Sequence, residues 1–83
     1  MSWLVYILKC GDNSLYTGIT NNFEARLLAH EEGRGAKYTR GRGPFEVVYQ
    51  KTYKSRSEAT TMEMEIKKLS LEEKQKLITG SIT

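Results

Sequence analysis

Near the N-terminus the run Trp3-Leu4-Val5-Tyr6-Ile7-Leu8 is unbroken, apolar and rich in β-branched and aromatic side chains, and it stops at Gly11-Asp12-Asn13. That combination predicts a buried strand closed by a strong turn. Beyond the turn, Ser14 to Thr20 alternates Leu15, Thr17 and Ile19 with Tyr16, Gly18 and Thr20, a period of two. Two such runs in succession predict an antiparallel hairpin. Alternate strand residues point to opposite faces, so Leu15, Thr17 and Ile19 share one side and Tyr16 and Gly18 the other.

The rest of the chain supplies what a hairpin needs to be covered. Asn21 or Asn22 can cap a helix running from Phe23 to Glu32, with Gly33 suited to its C-terminal stop. Phe23 and Leu27 face the core on it, and Arg26 and His30, also four apart, form a polar stripe. Residues 33 to 44 hold four glycines, the only proline and four basic residues without apolar periodicity, which predicts a mobile loop. Phe45 to Tyr53 reads as a third strand. Ser55 and Glu58 then open a helix whose stripe is Ala59, Met62, Ile66 and Leu69. Ser70 and Glu73 repeat the capping pattern before a short helix in which Leu77 and Ile78 close the core. The order is β-β-α-β-α-α: an α+β fold with a three-stranded antiparallel sheet flanked by helices, one domain over residues 1–79 and a short tail over 80–83.

Composition narrows the class. At 83 residues with 39% hydrophobic content, the chain supports one core and leaves no room for a second domain. The net charge of +3 is a mild argument for an anionic partner. Its distribution argues more: between residues 33 and 56 lie Arg34, Lys37, Arg40, Arg42, Lys51, Lys54 and Arg56 against the single acid Glu46. Cys10 is the only cysteine, so an intrachain disulfide and a cysteine-built zinc site are both excluded; an intermolecular disulfide is the remaining alternative. A reducing compartment fits, and the longest apolar run is too short to span a membrane, so a cytoplasmic protein is expected.

Six positions carry groups that a core does not require: Tyr6, Tyr16, Arg26, His30, Tyr38 and Glu63. Each has an ordinary explanation. The tyrosines can pack their rings and wet their hydroxyls, Arg26 can be a solvated helix residue, and a single histidine is commonly a surface or satisfied one. Glu63 lies four residues after Ala59 and three before Ile66, on or beside the buried face. A carboxylate there needs a metal or a partner, and Lys67 at i+4 is the available partner. In the loop, Arg34, Lys37, Arg40 and Arg42 interleaved with glycine suit phosphates, and Tyr38 suits stacking on a base; a plain solvated linker is the alternative.

Taken together, these residues resemble the GIY-YIG nuclease family, most closely its small stand-alone members. The first motif is matched by Leu4-Val5-Tyr6 and the second by Tyr16-Thr17-Gly18, with the tyrosines ten residues apart. The family's arginine and its histidine or tyrosine match Arg26 and His30, and its glutamate matches Glu63 within Ala59 to Lys67. Leu4 stands where the family name has glycine and Thr17 where it has isoleucine, both positions of backbone or packing. The resemblance implies a sheet whose tyrosine-bearing face is the active site. It also implies cleavage of phosphodiester bonds with one divalent metal, Mg2+ or Mn2+, anchored by Glu63.

On that resemblance Arg26 would clamp the scissile phosphate, Tyr16 would deprotonate the attacking water, and Tyr6 would orient it. His30 would be a second candidate base or a hydrogen-bond partner. A tyrosine, with an ordinary pKa near ~10, needs nearby positive charge for such a role. The expected function is a structure-selective DNA endonuclease in repair or recombination, with DNA favoured over RNA. Two readings of other classes compete: a nucleic-acid-binding module that does not cut or cuts only with a partner, and a protein-interaction domain whose basic loop meets an acidic surface.

Overall fold

Trp3–Lys9 (β1) is the middle strand of a three-stranded sheet in the computed structural model, which describes residues 2–80. Leu15–Thr20 (β2) pairs with it on one side and Glu46–Tyr53 (β3) on the other, both antiparallel. Helices Phe23–Glu31 (α1), Arg56–Lys67 (α2) and Leu71–Ile78 (α3) complete the expected order β-β-α-β-α-α. Of the expected tail over 80–83, Gly80 follows α3 with a positive φ, and 81–83 lie outside the described residues. Thr79 belongs to the end of α3, where its N–H donates to the Gln75 carbonyl at 3.0 Å.

The sheet has two differently used faces. Val5 and Ile7 of β1 are fully buried and form one cluster with Ala59 and Ile66 of α2. Leu15 and Ile19, Met62, Leu77 and Ile78 pack around that cluster, as the alternation and the helical stripe predict. Each fully buried aliphatic side chain of this kind stabilises by roughly 1.5–3 kcal/mol. Tyr6 and Leu8 point the other way, opposite Gly18 and Tyr16 in the β1–β2 register. That second face is covered by α1, which stands farther from the sheet than α2 does. Rings fill the gap: Tyr6 against Phe23 at 5.2 Å between centroids, and His30 against Phe45 at 6.1 Å.

The local signals act as read. The Asn22 side chain accepts from the Ala25 N–H, Ser55 accepts from the Glu58 N–H, and Ser70 with Glu73 forms a complete capping box. Leu4 pairs regularly with Thr20 and Thr52, so replacing the motif glycine leaves the strand intact. A bulge lies between Ile7 and Leu8, where the β3 partners jump from Tyr49 to Val47 and leave Val48 extra. The glycine-rich loop carries local structure within a segment that has no apolar periodicity. Lys37–Thr39 forms a 3-10 turn, Thr39 is 1% exposed, and the Gly11 N–H donates to the Arg42 carbonyl at 2.6 Å, tying the loop to the hairpin turn. Cys10 is buried, so the intermolecular disulfide has no exposed sulfur to form through.

Candidate active site

The site begins with a missing side chain. Gly18 lies directly opposite Tyr6, and a β-carbon on it would come within 2.7 Å of the Tyr6 hydroxyl and 3.0 Å of the Tyr16 ring. Without that carbon, the Tyr6 ring can lie over Gly18 of β2, where it is fully buried. β2 is an edge strand, so groups from both faces of the sheet can meet there.

From α1, His30 fills the space behind Tyr6. It is 1% exposed, its Nε2 lies 2.8 Å from the Tyr6 hydroxyl, and its Nδ1 lies 2.8 Å from Thr39 Oγ1. The proton positions follow from counting donors. Thr39 Oγ1 donates its one proton to the Ala36 carbonyl at 2.9 Å, so it must accept from His30 Nδ1–H. His30 Nε2 is then bare and accepts the Tyr6 O–H. Gly35 makes room for this ring, since a β-carbon there would overlap it, with Cγ at 2.8 Å.

The electrostatics hold this chain of hydrogen bonds in its neutral form. Burial pushes the Tyr6 phenol up to about 12, an effect that interaction with Arg26 only partly opposes. Burial also lowers the His30 pKa, and the Arg26 charge adds to that. The Arg26 guanidinium faces the Tyr6 and Tyr16 hydroxyls, and its interaction with Tyr6 is the first cause of a raised pKa that keeps it charged. Tyr6 therefore turns its proton toward His30 and its lone pairs toward Arg26.

Tyr16 is half-buried, with its ring 5.3 Å from His30 and 6.3 Å from Tyr6. Unlike Tyr6 it has no buried acceptor for its proton among the described residues. Glu63 arrives from α2, the helix on the far face, and its charge is felt at the Tyr6 hydroxyl. Its side chain is 19% exposed, and Lys67 Nζ lies 3.4 Å from Oε2, the pairing that i,i+4 spacing allows.

Tyr6, Tyr16, Arg26, His30 and Glu63 are thus brought into one region, but not as a simple polar stripe. His30 is enclosed, in contact with Tyr6, Tyr16, Phe45 and Thr39. Of the loop residues, Tyr38 stacks on Tyr16 at 5.9 Å and carries the Arg42 guanidinium over its ring at 4.6 Å, so both partners of that ring come from within the chain. Arg34 pairs with Glu32 and Arg42 with Asp12, all four well exposed. Lys37 and Arg40 have no carboxylate partner among the described residues and remain the loop's exposed cations.

Sequence reasoning missed Thr39, Gly35 and the role of Gly18. Only Gly18 left a usable signal, a glycine inside an alternating strand, which commonly marks a close approach.

No group of three or more His, Cys, Asp or Glu side chains comes together among the described residues. The described residues therefore form no metal cage of their own. One hard carboxylate beside a cationic, hydroxyl-lined edge does fit a small divalent ion that keeps most of its water and takes further oxygens from a substrate.

With this geometry in view, the relatives are informative. The family described as the GIY-YIG catalytic domain matches residues 2–76, and the chain belongs to that family. Within it, the chain sides with the small UPF0213 proteins. A UPF0213 protein of Oceanobacillus iheyensis is 64% identical over 74 residues, covering 89% of this chain and 86% of that one. One from Clostridium perfringens is 56% identical over 76 residues, covering 92% and 82%. The solution NMR structure of the UPF0213 protein BH0048 from Bacillus halodurans superposes with a TM-score of 0.63 at 47% identity, covering 95% of this chain and 84% of that one. The solution NMR structure of an E. faecalis protein gives 0.67 at 38%, covering 100% and 90%. No helix among the described residues is long and apolar enough to cross a membrane.

Proposed function

We propose that this protein is a metal-dependent endonuclease that hydrolyses phosphodiester bonds in DNA, selects its substrate by structure, and serves DNA repair or recombination. The observation that carries the reading is the convergence of Tyr6, Tyr16 and Arg26 with the charge of Glu63 beside β2, on a chain of the GIY-YIG family.

The residues divide the work as follows. The Arg26 guanidinium binds non-bridging oxygens of the scissile phosphate and offsets charge that develops there. The oxygen of a water forms the new bond to phosphorus, the bond to the leaving sugar oxygen breaks, Tyr16 acting as a phenolate takes the water's proton, and the leaving oxygen takes a proton from solvent. Tyr6, with its own proton held by His30, offers lone pairs that orient the water. Thr39 fixes the His30 tautomer and so fixes the direction of the Tyr6 hydroxyl. Glu63 would hold the divalent ion, Mg2+ or Mn2+, which when bound supplies Lewis-acid stabilisation of the leaving oxygen. Lys37 and Arg40 provide exposed positive charge for the nucleic-acid backbone, with Arg34, Arg42 and Tyr38 beside them.

One observation favours the binding-module alternative: Lys67 already sits 3.4 Å from Glu63 and would compete with a cation. A panel of labelled substrates separates the two readings. Single-stranded, duplex, flap and branched DNA and a structured RNA are incubated with Mg2+, Mn2+ or a chelator. Metal-dependent cutting of a DNA structure is the expected result; tight binding with no cutting under any condition supports the module instead.

A further inference from the structure

The region beside Glu63 continues into a cleft of about 240 Å³ at the β2 edge. Leu15, Tyr16 and Thr17 of β2 form one wall, Tyr38 of the loop closes one end, and Lys67 of α2 with Lys74 of α3 forms the other side. From this we infer that the cleft binds a backbone phosphate flanking the scissile one, on the same nucleic-acid strand, with Lys67 and Lys74 as its ligands. The inference rests on the nuclease reading and adds to it the path of the substrate.

Three features support the assignment. First, Lys74 is half-buried, lines the cleft and has no carboxylate partner among the described residues. Second, Lys67 touches Glu63 on one side and the cleft on the other, which makes the cleft continuous with the reacting region. Third, the hydroxyl of Thr17, in the strand that walls the cleft, is buried without a hydrogen-bond partner among the described residues.

The opposite bank is consistent with this path. Two of the four basic residues of the glycine-rich loop are paired with acids, so that loop alone presents fewer cations than its sequence suggests. A strand that contacts Lys37 and Arg40, crosses Tyr16 and Arg26, and leaves between Lys67 and Lys74 meets positive charge on both sides of the scissile bond.

The test is equilibrium binding of a fluorescently labelled duplex and single strand in chelator, across a salt series, to the wild-type protein and to Lys74→Gln, Lys67→Gln/Lys74→Gln and Lys54→Gln/Lys68→Gln variants. The last pair removes the same charge from exposed positions outside the cleft. The double cleft variant is expected to lose roughly tenfold in affinity and to lower the salt slope by about two, with Lys74→Gln alone giving about half of that slope change. The exposed pair should change neither by as much. Equal losses from both pairs, or no loss from the cleft pair while wild type binds and cuts, would overturn the cleft and leave the nuclease reading standing. A wild type that neither binds nor cuts any member of the panel would overturn both.

Discussion

The Tyr6 hydroxyl occupies the space that a side chain on Gly18 would fill, and the placement of Tyr6 beside Tyr16 and His30 depends on that space. Gly18→Ala puts a carbon within 2.7 Å of the hydroxyl and must displace Tyr6, Tyr16 or the strand. Overpacking of this kind costs about 1–3 kcal/mol, so the variant should fold with a lowered melting temperature. Misplacement on the ångström scale should cut the cleavage rate on the order of 100-fold. Thermal melting and single-turnover cleavage measured together check both parts; a stable variant of normal activity would show that Tyr6 placement does not depend on the glycine.

Thr39 acts at one remove, by accepting from His30 Nδ1–H while donating to Ala36. Thr39→Val keeps the shape and removes the acceptor, leaving a buried N–H unsatisfied at a cost of roughly 1–3 kcal/mol. Thr39→Ser restores the oxygen and should recover most of that loss. Urea unfolding of the three proteins measures it, and the NMR signature of the His30 ring nitrogens should show the Nδ1–H tautomer in wild type and Ser but a mixture in Val.

His30 is the only histidine, so its titration can be isolated. Its pKa in the folded state is lowered from 6.5 by burial first and by Arg26 second. The sign follows: below 6.5 the unfolded chain takes up a proton that the folded chain resists, so stability is full above that value and is lost as pH falls beneath it. The slope of this single group is at most about 1.4 kcal/mol per pH unit. Unfolding midpoints of wild type should drop between about pH 7.5 and pH 5.5, and a His30→Gln variant should show a flatter profile over that range. Parallel profiles would mean that His30 is not held neutral.

Tyr6 gives the complementary test at high pH. Its folded-state pKa is raised to about 12 by burial, so the stability it contributes is present below 10 and is lost as pH rises from there toward 12. The difference in phenolate absorbance between wild type and Tyr6→Phe should show the Tyr6 transition displaced upward from 10. A difference spectrum that titrates near 10 would indicate an exposed hydroxyl and would remove the basis for the His30–Tyr6 arrangement.

Much of the fold is legible because its signals are local. The alternation in β2, the Gly11-Asp12-Asn13 turn and the Ser70–Glu73 box are each settled within a few residues of chain. The site is less so. Spacing places Arg26 and His30 on one side of α1, but only the packing of rings between α1 and the sheet decides that His30 is enclosed while Arg26 faces the hydroxyls. Glu63 was readable as a carboxylate beside a buried stripe, yet its approach to Tyr6 from the opposite face depends on β2 being an edge strand. Thr39 sits in a segment with no periodicity at all, and nothing short of the folded loop links it to a residue nine positions away.

The most direct test of the central claim is Glu63→Gln, which keeps the size of the side chain and removes the charge that would hold a metal. Its effect on folding should be small, since the Lys67 pair it breaks is half-exposed and such pairs contribute roughly 0–1 kcal/mol. Single-turnover cleavage of the best substrate should fall by at least about 100-fold while affinity for that substrate in chelator stays within about threefold of wild type. Cleavage that continues at the wild-type rate in the variant would contradict the assignment of Glu63 as metal ligand and, with it, the proposed chemistry of the site.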